Sequence, residues 1–185
     1  MNRKICTKIV KYPRIAFLGY VYSESMTVAP RTKPRTLLMK GVELLSRREH
    51  SREELKYKLQ RALSEGQTNT DVSDCLDTLE AKGYLSNARF AEARVRTRAS
   101  RYGNQRLIQE LRQKGVRSED IEQALQEAGD EVARARAIWS KKFGAPPIDY
   151  KERARQIRFL AARGFDISTI SKVLSSCGQA DDFEM

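Results

Sequence analysis

The chain has one histidine and three cysteines in 185 residues, and these shortages exclude most chemistry that proteins perform on small molecules. His50 stands in the connector "HSREE" with no cysteine or second histidine beside it, so neither a metal site nor a catalytic triad assembles around it. It is expected to be a solvent-exposed linker residue. Cys6, Cys75 and Cys177 have no metal or redox spacing, and an odd count argues against a disulfide framework. No GxGxxG or Walker-type glycine loop is present to cradle nucleotide phosphates. No cofactor, no metal and no active site are expected, so the chain is not read as an enzyme.

Long hydrophobic runs are also missing. The apolar stretch Ile15–Tyr22 behind a basic start mimics a short signal peptide, but Gly19 interrupts it and no small-x-small cleavage site follows closely. Met26 opens a conventional-looking "MTVAPRTKPRTLL", which is a second candidate start. No other stretch approaches the roughly 20 apolar residues needed to cross a bilayer. A cytoplasmic monomer without a membrane anchor is expected. Three of the five prolines fall before residue 35, in a segment with no sustained period, and residues 1–35 are read as a largely disordered basic segment.

What is present is charge, at 32% of residues against 8% aromatic, spread along the chain as on solvated helix faces. The formal net charge is +11, which favours a polyanionic partner. Residues 1–50 hold most of the excess, with 11 basic and 3 acidic side chains.

The chain also repeats itself. Gly66, Gly115 and Gly164 are evenly spaced by 49 residues, and each follows a helical pattern where a helix end favours glycine. At the same step Val72, Cys75, Leu76 and Leu79 map onto Ile121, Ala124, Leu125 and Ala128, then onto Ile170, Val173, Leu174 and Cys177. Each set falls at i, i+3, i+4, i+7, one face of a helix. Upstream, Leu59, Ile108 and Ile157 correspond, as do Ala62, Leu111 and Leu160. Ser51 with Glu54 reads as a capping box, Asn69 and Ser118 as N-caps, and Asp166 or Ser168 as their substitute in the third unit. Leading helices are expected at about 36–48, 87–101 and 130–143. In the third, Val132, Ala135, Trp139 and Phe143 share one side, so the only tryptophan is assigned to the core, as are Cys75 and Cys177.

The expected fold is therefore all-α, an elongated array of three tandem three-helix, helix-turn-helix-like repeats. Its segments are 1–35, 36–85, 86–129, 130–176 and a tail at 177–185. Units of this size bury little surface alone, and stacking against neighbours supplies the missing core.

At residues 79–116 the motifs Gly83-Tyr84-Leu85, Arg89-Phe90-Ala91, a basic helix, Arg106-Leu107-Ile108, Glu110-Leu111 and Lys114-Gly115-Val116 occur in order. In this the sequence resembles the RecX family of bacterial recombinase regulators, more loosely from Thr36 to Leu174. The resemblance implies tandem three-helix units and a non-enzymatic modulator that binds the RecA–DNA filament. It would suppress strand exchange, ATP hydrolysis and co-protease activity in recombination, repair and the SOS response. Ser86-Asn87-Ala88 departs from the acidic residues common at that point, and the glycine-rich connector is reduced to "RYGNQR".

The candidate contact residues are basic. Arg89, Arg94, Arg96, Arg98, Arg101 and Arg106 stand against one acid, Glu92, and Arg94, Arg98 and Arg101 share a helix face that suits a phosphate row or an acidic protein groove. The competing assignment is pairing with acids inside the protein. A second cluster, Lys151, Arg153, Arg155 and Arg158 with Arg163 beyond, has Glu152 as its only acid and is alternatively a solvated face. The closing helices are the reverse, carrying Asp71, Asp74, Asp77 and Glu80, then Glu119, Asp120, Glu122 and Glu127. An acidic helix in the major groove would be repelled by phosphates, so operator reading is disfavoured. Sequence-independent contact with single- or double-stranded DNA and with RecA is expected. A non-specific nucleic-acid binder without RecA dependence, or a helical adaptor for another protein, are the alternatives.

Overall fold

The computed structural model of the chain describes residues 36–178, with side chains to Ser176. The expectations for residues 1–35, for the Cys177 side chain and for the chain beyond Gly178 lie outside the described residues. Those described form nine helices and no strand: α1 (Leu37–Arg47), α2 (Arg52–Gln60), α3 (Asn69–Ala81), α4 (Asn87–Arg98), α5 (Asn104–Gln113), α6 (Ser118–Glu127), α7 (Glu131–Lys142), α8 (Tyr150–Ala161) and α9 (Ile167–Gly178).

Every apolar stripe closes within its own triplet. Leu55, Leu59, Val72, Leu76 and Leu79 form the first core, with Cys75 at its edge. Phe90, Val95, Leu107, Leu111, Ile121 and Ala124 form the second. Trp139, Leu160, Phe165, Ile170 and Val173 form the third, where the Trp139 indole N–H donates to the buried Gln156 Oε1 at 2.7 Å. There are three cores and no common centre, which is the expected tandem array. Each buried leucine contributes about 1.5–3 kcal/mol, and bundles of this size are marginal alone.

The local signals hold with small displacements. Gly66, Gly115 and Gly164 all have positive φ, at 83°, 72° and 83°. The caps stand one residue earlier than expected: Thr68 and Asp71 form a reciprocal capping box ahead of Asn69, and Arg117 precedes Ser118 without a side-chain bond to the helix N–H groups. Ser51 caps α2, but the Glu54 carboxylate turns to Arg48 and Lys58 instead of back to the cap. In the third unit Asp166 accepts from Thr169 N at 2.7 Å.

The middle helices correct the expected register. In burial Leu55 corresponds to Leu107 and Leu59 to Leu111, a step of 52, not 49, while Gln156 and Leu160 follow at the expected 49. Ala62 is exposed. The three extra residues of the first unit sit in the α2–α3 link, where Ser64 N donates to Gln67 Oε1 and Gln67 N to Ser64 O in a turn that ends α2 early.

His50 is also corrected, being 2% exposed and not a solvated linker residue. Its Nδ1 lies 2.9 Å from the Arg48 carbonyl and its Nε2 2.7 Å from Lys58 Nζ. A carbonyl only accepts and an ammonium only donates, so the ring donates through Nδ1, accepts at Nε2 and is neutral. Burial lowers its pKa, with the Arg48 and Lys58 charges adding to that and the Arg48 carbonyl opposing it. For Glu54, burial works against ionisation, but hydrogen bonds from Arg48 and Lys58 outweigh it and hold the carboxyl at about 2.

The joints between units repeat one construction. The side chain of the first residue of each following bundle accepts from the first N–H of the preceding middle helix: Asn87 Oδ1 from Arg52 N at 2.9 Å, and Glu131 Oε1 from Asn104 N at 2.7 Å. The positive-φ glycine of each following unit packs on that helix's first turn. A Cβ on Gly115 would lie 2.7 Å from Glu53 Cγ, and one on Gly164 2.5 Å from Arg106 Cβ. At the second joint the backbones bond directly, Gly103 N to Arg163 O at 2.9 Å and Gln105 N to Gly164 O at 3.1 Å. Arg134 donates there to the Ala99 and Tyr102 carbonyls and to Asn104 Oδ1.

Two outcomes are expected. A Cβ on Gly103 would meet Gly164 O at 2.3 Å, a backbone atom that cannot swing aside. Gly103→Ala should therefore cost about 2 kcal/mol and raise hydrogen exchange at the Gly103 and Gln105 amides while α1–α3 stay protected. Above pH 6.5 His50 is neutral in folded and unfolded chains alike. Below that the unfolded chain takes up a proton the folded one resists, so stability falls with falling pH. A second fall, from Glu54, spans its ordinary 4.5 down to about 2. Urea midpoints measured across pH should show both steps, and His50→Gln should abolish the first.

Candidate nucleic-acid and partner interface

The arginines grouped by the sequence separate into neutralised and unneutralised sets. Arg89 opens α4, and its Nε pairs with Glu49 Oε1 at 2.9 Å while Nη2 donates to the Gly83 and Tyr84 carbonyls. It ties the first unit to the second. Arg94 and Arg98, one turn apart on α4, converge on a single carboxylate of α5, Glu110, with Arg94 Nε 2.6 Å from Oε1 and Arg98 Nε 3.0 Å from Oε2. Those two contacts are made inside the second bundle. Arg96 is exposed beside Glu92 and Glu127 on the rim of a separate hollow.

Arg101 and Arg106 are placed differently. They open onto a cleft of about 610 Å³ at the joint of the second and third bundles, where the ends of α4, α7 and α8 meet the first turn of α5. Three further cations line it: Lys141 and Lys142 from the end of α7, and Arg163 from the α8–α9 turn. Tyr102, Ile138 and Phe159 supply apolar lining. No carboxylate lines this cleft, and among the described residues none of its five cations is in an ion pair. Arg106 lies over the Tyr102 ring at 4.3 Å and donates to the Ala162 carbonyl. Arg163 lies over Phe159 at 3.7 Å and donates to the Phe159 carbonyl. Rings and neutral carbonyls fix a guanidinium without cancelling its charge.

The second sequence cluster stays on α8. Lys151, Arg155 and Arg158 surround a shallower hollow shared with Asp149 and Glu152, and Arg153 is exposed nearby. Sequence reasoning left out Lys141 and Lys142. Their adjacency at the end of an amphipathic helix was the available signal, but nothing in the sequence brings that end beside Arg101 and Arg163.

Residues 86–125 match the description "RecX, second three-helix domain", and residues 129–174 match "RecX, third three-helix domain". Regulatory protein RecX of Ralstonia pickettii (strain 12J) is 42% identical over 148 residues, 80% of this chain and 91% of that protein. The chain belongs to the RecX family of regulatory proteins. Regulatory protein RecX of Herminiimonas arsenicoxydans is likewise 42% identical, over 150 residues that cover 80% of this chain and 96% of that one. The crystal structure of RecX from Lactobacillus salivarius superposes with a TM-score of 0.64 at 19% identity, covering 77% of this chain and 97% of that one. A second RecX crystal structure gives 0.61 at 19% identity, over 75% and 73%. The RecX fold persists where little sequence is shared.

The geometry gives the RecX-like motif residues a structural reason. Gly83 has φ 71°, letting Tyr84 N and Leu85 N both return to Leu79 O, and Leu85 closes the first core. Arg89 then holds that turn through its carbonyls, and Glu110 restrains α4 against α5. Replacing Glu110 by Gln removes the charge shared by Arg94 and Arg98 and leaves two like charges one turn apart. A loss of about 1–2 kcal/mol in chemical denaturation is expected, smaller in high salt because screening eases the repulsion.

Proposed function

We propose that this RecX-family chain binds the RecA–DNA filament and restrains recombinase activity, ATP hydrolysis and co-protease function, acting in the cytoplasm as a monomer without catalysing a reaction. The observation that carries this reading is the 42% identity to regulatory RecX proteins across four-fifths of the chain, joined to an array of three separately cored bundles. Modules strung in tandem suit a partner that is itself a repeat. Several modest contacts to successive protomers add through effective concentration, which one compact domain does not achieve.

The charge distribution supports a mixed protein and DNA target. Glu119, Glu122 and Glu127 on α6 are exposed, whereas the second joint carries unneutralised cations, so surfaces of both signs are offered. On this reading Arg101 and Arg106 among the α4–α5 arginines, and Lys151, Arg153, Arg155 and Arg158 on α8, are the contact residues, with Arg89, Arg94 and Arg98 chiefly structural. The unneutralised joint is also what favours the second reading, a nucleic-acid-binding repeat protein that ignores RecA.

The purified full chain added to RecA on single-stranded DNA separates the two. Falling ATP hydrolysis, with single filaments that shorten or stop growing, is expected. Unaltered hydrolysis and strand exchange at protein concentrations that saturate the DNA would sink the filament reading and leave the second.

A further inference from the structure

We propose that the cleft between the second and third bundles is a binding site for single-stranded nucleic acid, its phosphates held by Arg101, Arg106, Lys141, Lys142 and Arg163. The sugars and bases lie against Ile138 and against the parts of Tyr102 and Phe159 that line the cleft beside their stacked guanidiniums. The biological setting rests on the filament reading above, but the binding itself does not require the recombinase.

Charge carries the first step. Five cations meet in a cleft of about 610 Å³ with no lining acid, although acids and bases are interspersed over much of the described surface. The C-terminal ends of α4, α7 and α8 lie at this cleft, and basic side chains favour helix C-termini, which accounts for part of the arrangement. Three helix ends supply about −0.5 each, roughly −1.5 against five positive charges. The excess is left for a ligand.

Preorganisation carries the second. Arg106 and Arg163 are already fixed over aromatic rings and bonded to carbonyls of the α8 end. Less side-chain entropy is then lost when an anion arrives. The joint that shapes the cleft is held by backbone hydrogen bonds, so the cations on either side keep their spacing.

The lining decides which nucleic acid. A duplex presents phosphates outward with its bases covered, and gains nothing from an apolar floor. An unpaired strand exposes sugars and bases that can rest on Ile138 and on the stacked ring–guanidinium pairs of Tyr102 and Phe159, while its backbone follows the cationic rim. An acidic protein segment would match the charge but would not need the rings.

The test uses the full chain and a fluorescent twelve-nucleotide oligothymidylate, with anisotropy followed over a salt series. The double variant Lys141→Glu, Lys142→Glu alters only exposed side chains and should retain helical content by circular dichroism. It should bind about tenfold or more weakly, and its salt slope should fall by about 1.4, two single-strand phosphate contacts at about 0.7 each. The charge-matched Lys82→Glu, Lys172→Glu variant, also exposed but outside the cleft, should bind as the parent does, and duplex of the same length should compete poorly. Equal losses in both variants, equal competition by duplex, or binding of an acidic peptide but not of the oligonucleotide would each overturn the assignment. A parent protein that binds the strand through this cleft yet leaves RecA hydrolysis unchanged supports the site and removes the filament reading. Inhibition that survives while both lysine variants bind DNA like the parent does the opposite.

Discussion

The contact on which the rest of the molecule depends is the backbone approach of Gly103 to Gly164. A Cβ at residue 103 would stand 2.3 Å from the Gly164 carbonyl oxygen, so the two main chains pass without side chains between them, and two amides of one bundle bond carbonyls of the next. Side-chain contacts vary by ångströms as rotamers change; paired peptide groups do not. This fixes the third bundle on the second, and with it the distance across the cleft between Arg106 and the lysines of α7. The site is a property of the joint.

The same construction recurs at the first joint with different chemistry. Asn87 takes the place of Glu131, and Glu53 meets Gly115 where Arg106 meets Gly164. No backbone-to-backbone bond crosses that joint among the described residues, and Arg89 to Glu49 is its ion pair. An exposed ion pair contributes roughly 0–1 kcal/mol, less than two amide hydrogen bonds that also exclude water. The second joint is thus crossed by main-chain hydrogen bonds, whereas the first rests on side chains: Asn87 on Arg52 N, and Arg89 on Glu49 and on the Gly83 and Tyr84 carbonyls.

Periodicity made the fold legible. Stripes at i, i+3, i+4, i+7 and a recurring glycine with φ above zero located the closing helices, and the RecX-like motifs located the second unit. The middle-helix register was lost because Ser64–Gln67 forms a turn where the repeat step assumed helix, and a step measured on closing helices cannot see an insertion upstream of them. His50 was misplaced for a different reason: a lone histidine between charged residues looks solvated, and the link has to fold back on the start of α2 before Glu54 and Lys58, four and eight residues on, come round it. The arginine stripe showed the limit of counting charge along a helix. Glu110 lies sixteen residues from Arg94 in sequence and 2.6 Å away in space, so a face that looked free carries two arginines already engaged.

That engagement bears on how a strongly basic protein avoids being merely sticky. Of the six arginines from residue 89 to residue 106, three are held by Glu49 or Glu110, and those pairs tie α4 to the α1–α2 link and to α5. Unpaired cations remain at many exposed positions, among them Lys82, Arg96 and Lys172, but at the second joint five of them converge, and there aromatic rings and carbonyls support Arg106 and Arg163 without neutralising them. Affinity for a polyanion in such a molecule scales with the cations that remain unpaired and converge, not with the net charge of +11. A joint that gathers five of them in one cleft concentrates that affinity at the position where backbone hydrogen bonds tie two bundles together.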